Sequence, residues 1–376
     1  MNTPAANTWV ELQPDILNSN LKLLRAAIGA GPEIIFVVKS NAYGHGMHMV
    51  AVQAWQQGVR WFAVAHMDEA VALRKTLPRA RILILGCLRP RHAAEAAHLQ
   101  LTPVIADRDH AVELASHASS AGVILTVHAK IDTGMGRLGF SWQAAPGMLA
   151  TLTRLQGLKL EGICTHFASA GDPGSPFAEE QADRFHQALA ACHQEGLRFA
   201  FRHAANSGAI VRHQGHWDFD GIRPGILLYG YGPAGGKRPI ATRPFLQWKT
   251  RILQVKRVPA GFPVSYDSTW RAPQETHIAT IDVGYADGYM RCMSGKAQVL
   301  VGGRRCPTAG RITMNMTAVD VGQLPVKPGD EVVLLGSQGN ASIYADELAC
   351  WADTIPYEIL TSIRTSAYQA APEKIP

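Results

Sequence analysis

The chain has 376 residues, a formal charge of +6, 47% hydrophobic and 18% charged residues, the composition of a globular protein with a sizeable core. Its basic residues form no run of five or six like charges, so charge alone does not suggest nucleic-acid binding, and no long apolar stretch suggests a membrane span. The six cysteines show neither a CxxC pair nor zinc-like spacing, so no metal site is expected; MNTPAANTWVELQPD lacks the pattern of a leader, so a cytoplasmic location is expected.

Residues 1–12 are expected as an N-terminal strand that packs with a later β domain. Apolar, β-rich runs then follow at 34–40 (IIFVVKS), 61–66, 81–86, 101–106, 122–131, 160–167 (LEGICTHF), 201–207 (FRHAANS) and 221–230 (GIRPGILLYG). Helical patterns separate them, at 47–58, 68–77, 109–120 and 177–195, with Asp109 and Ser141 expected as N-caps. Continuous apolar runs alternating with helices read as parallel strands buried on both faces, and eight such units fit a (β/α)8 TIM-like barrel over 13–238. GPAGGKRP at 232–239 marks the expected joint. Beyond it, Val-rich alternating segments at 250–258, 277–283, 297–301 and 331–335 predict a mainly-β domain over 239–376, with one clear helix at 345–352.

Reactive groups in such a barrel belong at the carboxyl ends of the strands. That rule selects Lys39 after the first run, Arg137 after the fifth, His166 at the end of the sixth, Asn206 and Ser207 at the seventh, and Arg223 and Gly225 in the eighth. By position alone Lys39 is either a lysine emerging into solvent or an amine made nucleophilic by desolvation. NSG at 206–208 is either an anion-binding turn or an ordinary helix cap, and Tyr266 by itself reads best as a core aromatic.

Taken together, VVKSNAYGHG, KIDTGMGRLGF, HAANSGA, GIRPGILLYG, VSYDSTW and TIDVGYADGY resemble the fold-type III pyridoxal-phosphate enzymes known as alanine racemases, over about residues 8–364. The resemblance implies that Lys39 holds pyridoxal 5'-phosphate as a Schiff base. It implies a phosphate site of Tyr43, Ser207, Gly225, Ile226 and Tyr357 with Asn206 beside it, and a cofactor contact at Leu85. His166 would pack against the pyridine ring and Arg223 would donate to its nitrogen, leaving the ring a weaker electron sink than one facing an acid. Racemisation needs a base on each face of Cα, and these would be Lys39 and Tyr266. Tyr266 would come from the partner subunit of a homodimer, with His166 at its hydroxyl. Arg137, Met314 and Tyr285 would meet the substrate, and Lys130 corresponds to a lysine often carbamylated in the family. The product, D-alanine, would serve peptidoglycan precursors.

Three features depart from the family pattern. Asn315, in Thr313-Met314-Asn315-Met316, replaces a usual aspartate, Asp267 replaces the glycine after the tyrosine, and HFASAGDPGS is one residue longer around Gly171. Broader specificity, toward serine, lysine or another amino acid, is the alternative reading. A decarboxylase of the same cofactor class would face the ring with glutamate rather than Arg223. A non-catalytic cofactor-binding barrel would lack the β domain and Tyr266.

Overall fold

In the computed structural model, which describes residues 8–172, 174–213, 217–233 and 240–371, contacts divide the chain into two units. One comprises Asn18–Ala42 and Met47–Thr242; the other comprises Met1–Leu17, Tyr43–Gly46 and Arg243–Pro376. Residues 1–7 of the expected N-terminal strand, and 234–239 of the expected joint, lie outside the described residues.

The first unit is a closed parallel barrel. Its strands are β1 (Glu33–Val37), β2 (Trp61–Val64), β3 (Arg81–Cys87), β4 (Leu101–Ile105), β5 (Leu125–Asp132), β6 (Leu158–Cys164), β7 (Phe201–Asn206) and β8 (Gly221–Arg223). They pair in the order β4-β3-β2-β1-β8-β7-β6-β5, and Val104 of β4 opposite His128 of β5 closes the ring. Every predicted run forms one strand, because each is apolar on both faces and can be buried against helices outside and side chains within. The eighth strand is shorter than expected. Pro224 follows Arg223, and residues 225–230 turn rather than extend while staying buried.

The predicted helices form at Met47–Gln56, Met67–Thr76, Arg108–Ser120 and Phe177–Gln194. Two expected caps are corrected. Asp107, not Asp109, caps its helix, because its carboxylate takes the N–H of His110 at 2.8 Å; Asp109 lies inside the first turn. Ser141 ends a two-residue strand and bonds Gln143, while the next helix starts from Ala144.

The second unit is built on the 13-residue strand Leu246–Val258. Its first half pairs antiparallel with Trp9–Leu12 and Glu331–Gln338, its second half with Thr276–Ile281. Trp9–Leu12 also pairs, in parallel, with Tyr368–Ala370. Lys249 ties these strands together, 2.7 Å from Glu11 and 3.1 Å from Glu331. The helix Ala345–Ala352 forms as expected, and Pro356–Ser362 adds a second. Among the described residues, no helix is long and apolar enough to cross a membrane.

Candidate active site

Lys39 follows the end of β1 and opens an unusual turn. Ser40, Asn41, Ala42 and Tyr43 all take φ between 52° and 54°, a left-handed conformation that costs L-residues roughly 1–2 kcal/mol each. Hydrogen bonds hold it. Ala42 N–H donates to Val38 (2.8 Å), Ser40 N–H to the Glu69 carboxylate (2.6 Å), and Asn41 accepts from Met47 N–H (2.8 Å). Burial lowers the proton affinity of the Lys39 amine; the Arg137 guanidinium adds to this, while Glu69 opposes it.

Arg223 closes β8 and is almost wholly buried. Its guanidinium donates to the carbonyls of Thr165 (2.6 Å) and Ala204 (2.7 Å), to His203 Nδ1 (2.6 Å) and to His166 Nδ1 (3.3 Å). His166 is held well below the usual imidazole range by burial, then by the charges of Arg223, Lys130, Arg137 and Lys39, so it is neutral. Lys130, on β5 opposite Cys164, is pushed down to about 8 by burial, and Arg223 and Arg137 act in the same direction. The loop that carries Arg137 is knit by Asp132, whose carboxylate takes the N–H groups of Gly134 and Gly136. Leu85 lies half-buried near the end of β3.

The loops after β7 and β8 meet at Ser207. Its Oγ accepts from the N–H groups of Gly225 (3.0 Å) and Leu227 (3.3 Å), so its own hydrogen is the group left for an acceptor. Ile226, between Gly225 and Leu227, is buried. Asn206 serves as a cap, its Oδ1 accepting from Ala209 N–H and its amide donating to Phe167. A Cβ at Gly208 would lie 2.6 Å from Gly171 N, so only glycine allows this close approach.

In the second unit, Tyr43 and Tyr357 bring their rings to 5.9 Å, and burial pushes Tyr357 up to about 12. Gly44 docks directly on the Pro356–Ser362 helix; a Cβ there would collide with the Leu360 carbonyl. Tyr266 is 69% exposed and lines a groove of about 520 Å³ with Phe262, Val264, Ile278 and Met316. Its flanks are strained: Ser265, Asp267 and Ser268 all have positive φ. Ser265 Oγ donates to the Arg311 carbonyl, and the exposed Asp267 carboxylate lies 3.6 Å from Arg311 Nε. Tyr285 N–H donates to Thr313 and Ala286 N–H to Met314, which docks these two exposed segments together; Asn315 is exposed.

The barrel therefore gathers Lys39, Lys130, Arg137, His166, Ser207, Arg223 and Gly225 at strand ends, and the second unit carries Tyr43, Tyr266, Tyr285, Met314 and Tyr357. Sequence reasoning missed Glu69, His128, Glu161 and His203. Only Glu69 leaves a local signal, since it stands three residues after His66 as the acid of a capping box.

With its polar groups converging on the carboxyl ends of a closed parallel sheet, the chain is of the class of (β/α)8 barrel enzymes. Residues 12–233 match the family model for the alanine racemase N-terminal domain, and residues 245–370 that for the C-terminal domain. Alanine racemase from Symbiobacterium thermophilum is 41% identical, covering 95% of this chain and 94% of its own length; that from Syntrophobacter fumaroxidans is 40% identical, covering 97% of each. A crystal structure of alanine racemase from Bacillus anthracis with bound L-Ala-P superposes with a TM-score of 0.93 at 34% identity, covering 99% of this chain and 97% of that one. Histidine racemase from Leuconostoc mesenteroides has a TM-score of 0.89 at 26% identity, covering 99% and 100%. The chain belongs to the alanine racemase family.

Proposed function

We propose that the chain interconverts L- and D-alanine with pyridoxal phosphate held covalently by Lys39. Lys39 carries the reading: a half-buried lysine of lowered proton affinity at a strand end is an amine ready to attack an aldehyde. The surroundings fit the cofactor. Ser207 offers a hydroxyl that can only donate, Gly225 and Gly208 keep side chains away from an anion, and Tyr43 and Tyr357 add phenolic donors. Arg223 supplies a cation for the pyridine nitrogen, Arg137 one for the phenolic oxygen and the substrate carboxylate, with Leu85 and Ile226 as apolar contacts. When bound, pyridoxal phosphate acts as an electron sink that acidifies the Cα–H of an amino acid.

The protein's part is to move a proton across Cα. Lys39 Nζ serves one face and Tyr266 Oη the other, as the bases for the D- and L-enantiomers respectively. Because Arg223 only donates, His166 accepts at Nδ1 and carries its hydrogen on Nε2. That hydrogen would be the donor His166 offers to the Tyr266 oxygen. The exposure of Tyr266 at an apolar groove supports its delivery to the barrel mouth of a second copy. Carbamylation of Lys130 would replace repulsion toward Arg137 with an ion pair, and an amine titrating near 8 supplies the neutral form that adds carbon dioxide. Met314 and Tyr285 would border the substrate, with Tyr285 and Tyr357 restricting it to a small side chain.

The test is direct. The purified protein should show a visible absorbance that borohydride abolishes, and should racemise L-alanine faster than L-serine or L-lysine, followed by optical rotation. Absence of the chromophore would end the reading. Preference for a larger amino acid would favour the second reading, a racemase of wider range, for which the likeness to a histidine racemase is the specific observation.

A further inference from the structure

Arg223 is a cation buried inside the barrel, and among the described residues no carboxylate lies within ion-pairing distance of it. A buried charge without compensation is expensive, so its long-range partner matters. From its Nη1 a single file of polar side chains crosses the barrel interior. His203 Nδ1 lies 2.6 Å away; His203 Nε2 is 2.9 Å from His128 Nδ1; His128 Nε2 is 3.4 Å from Glu161 Oε2; and Glu161 is 2.7 Å from Arg81 Nη2. Arg223 closes β8 and Arg81 opens β3, so the file runs from the carboxyl mouth to the opposite one. Both imidazoles are fully buried. The space for them is built in, since a Cβ at Gly162 would come within 2.7 Å of the His128 ring. Trp61 and Phe201, stacked at 4.6 Å, pack beside it.

Donor and acceptor counting gives the file a direction. A guanidinium can only donate, so His203 Nδ1 accepts and its hydrogen sits on Nε2. His128 Nδ1 must then accept that hydrogen, which puts its own on Nε2, pointing at a carboxylate that only accepts. Each link holds one hydrogen and none is left over. We propose that Glu161 is a positioning residue for Arg223, accepting the last hydrogen of the file from His128 Nε2 and compensating the buried guanidinium through His128 and His203. The alternative orientation would set two hydrogens against each other at His203. Burial holds both imidazoles below the usual range, with Glu161 opposing at His128, so they remain neutral links; the His128 hydrogen bond and Arg81 hold Glu161 down to about 2.

The proposal rests on the reading of Arg223 as the group that faces the cofactor ring; the tautomers themselves do not. Long-range 1H–15N spectra of the purified holoenzyme, labelled at histidine nitrogens, should show His128 and His203 as neutral Nε2–H tautomers at about pH 8. A His203 Nδ1–H tautomer in the unaltered protein would overturn the proposal whether or not any variant folds. Glu161→Gln, which removes the negative charge at the end of the file but can still accept, should weaken the His128 Nε2–H hydrogen bond, move the His128 nitrogen shifts, and shift the visible band of the bound cofactor. It should also lower kcat about tenfold with KM little changed, and Glu161→Asp should recover part of each effect. Spectra and absorbance unchanged in Glu161→Gln would equally sink it. A protein lacking the chromophore would refute the racemase reading, leaving the tautomers to be judged by the spectra alone.

Discussion

Lys130 is 7% exposed, and its amine titrates near 8 against an ordinary lysine value of 10.5. The unfolded chain therefore binds the proton more tightly than the native barrel between these two values. Stability from this site is fully present above 10.5, falls by about 3 kcal/mol in total as pH drops to about 8, and is flat below. Urea unfolding in carbonate-free buffer should show stability rising with pH across that window, and Lys130→Met should lose this part of the slope. An identical slope in the variant would mean that the amine is not the group responsible. Lys39 and Arg223 were legible because a strand end marks them. His203, His128 and Glu161 were not, since each lies within a strand and its partner stands 75 or 33 positions away. Only folding brings such residues together. Asp267 shows the same limit, for its partner Arg311 is on another segment.

The eight barrel strands could be read from the chain because strands buried on both faces are predominantly apolar, and helices between them are not. Ends were harder. The residue that starts a helix is chosen by whether its side chain reaches a free N–H, and Asp107 and Asp109 look alike until the backbone is seen. Asp107→Ala should destabilise the protein by about 1 kcal/mol in thermal or denaturant unfolding, whereas Asp109→Ala should have a much smaller effect. Equal losses would contradict the assignment of the cap. Pro356–Ser362 escaped notice because a proline early in a short segment reads as a breaker, although at a helix start its missing N–H costs nothing.

The two-unit composition was legible at the scale of the whole chain, as a change from long apolar runs to alternating ones. Which barrel mouth Tyr266 serves was not legible in the residues themselves, because it has the same neighbours in sequence in either case; only the family resemblance pointed to a partner subunit. Mixing Lys39→Ala with Tyr266→Phe protein, under conditions that exchange subunits, distinguishes the cases. If sites combine residues from two copies, one site in each mixed dimer is intact and random exchange restores about a quarter of the original activity. If each chain builds its own site, nothing is restored. The strand Trp9–Leu12 has a further meaning for how the molecule comes into being. Both of its neighbours, Leu246–Val258 and Tyr368–Ala370, are translated long after it. A barrel can close on the ribosome once Gly221–Arg223 has emerged, but this early strand must wait with both edges unpaired. A segment made before the barrel is thus secured only after it, and until then it presents two open edges to other chains.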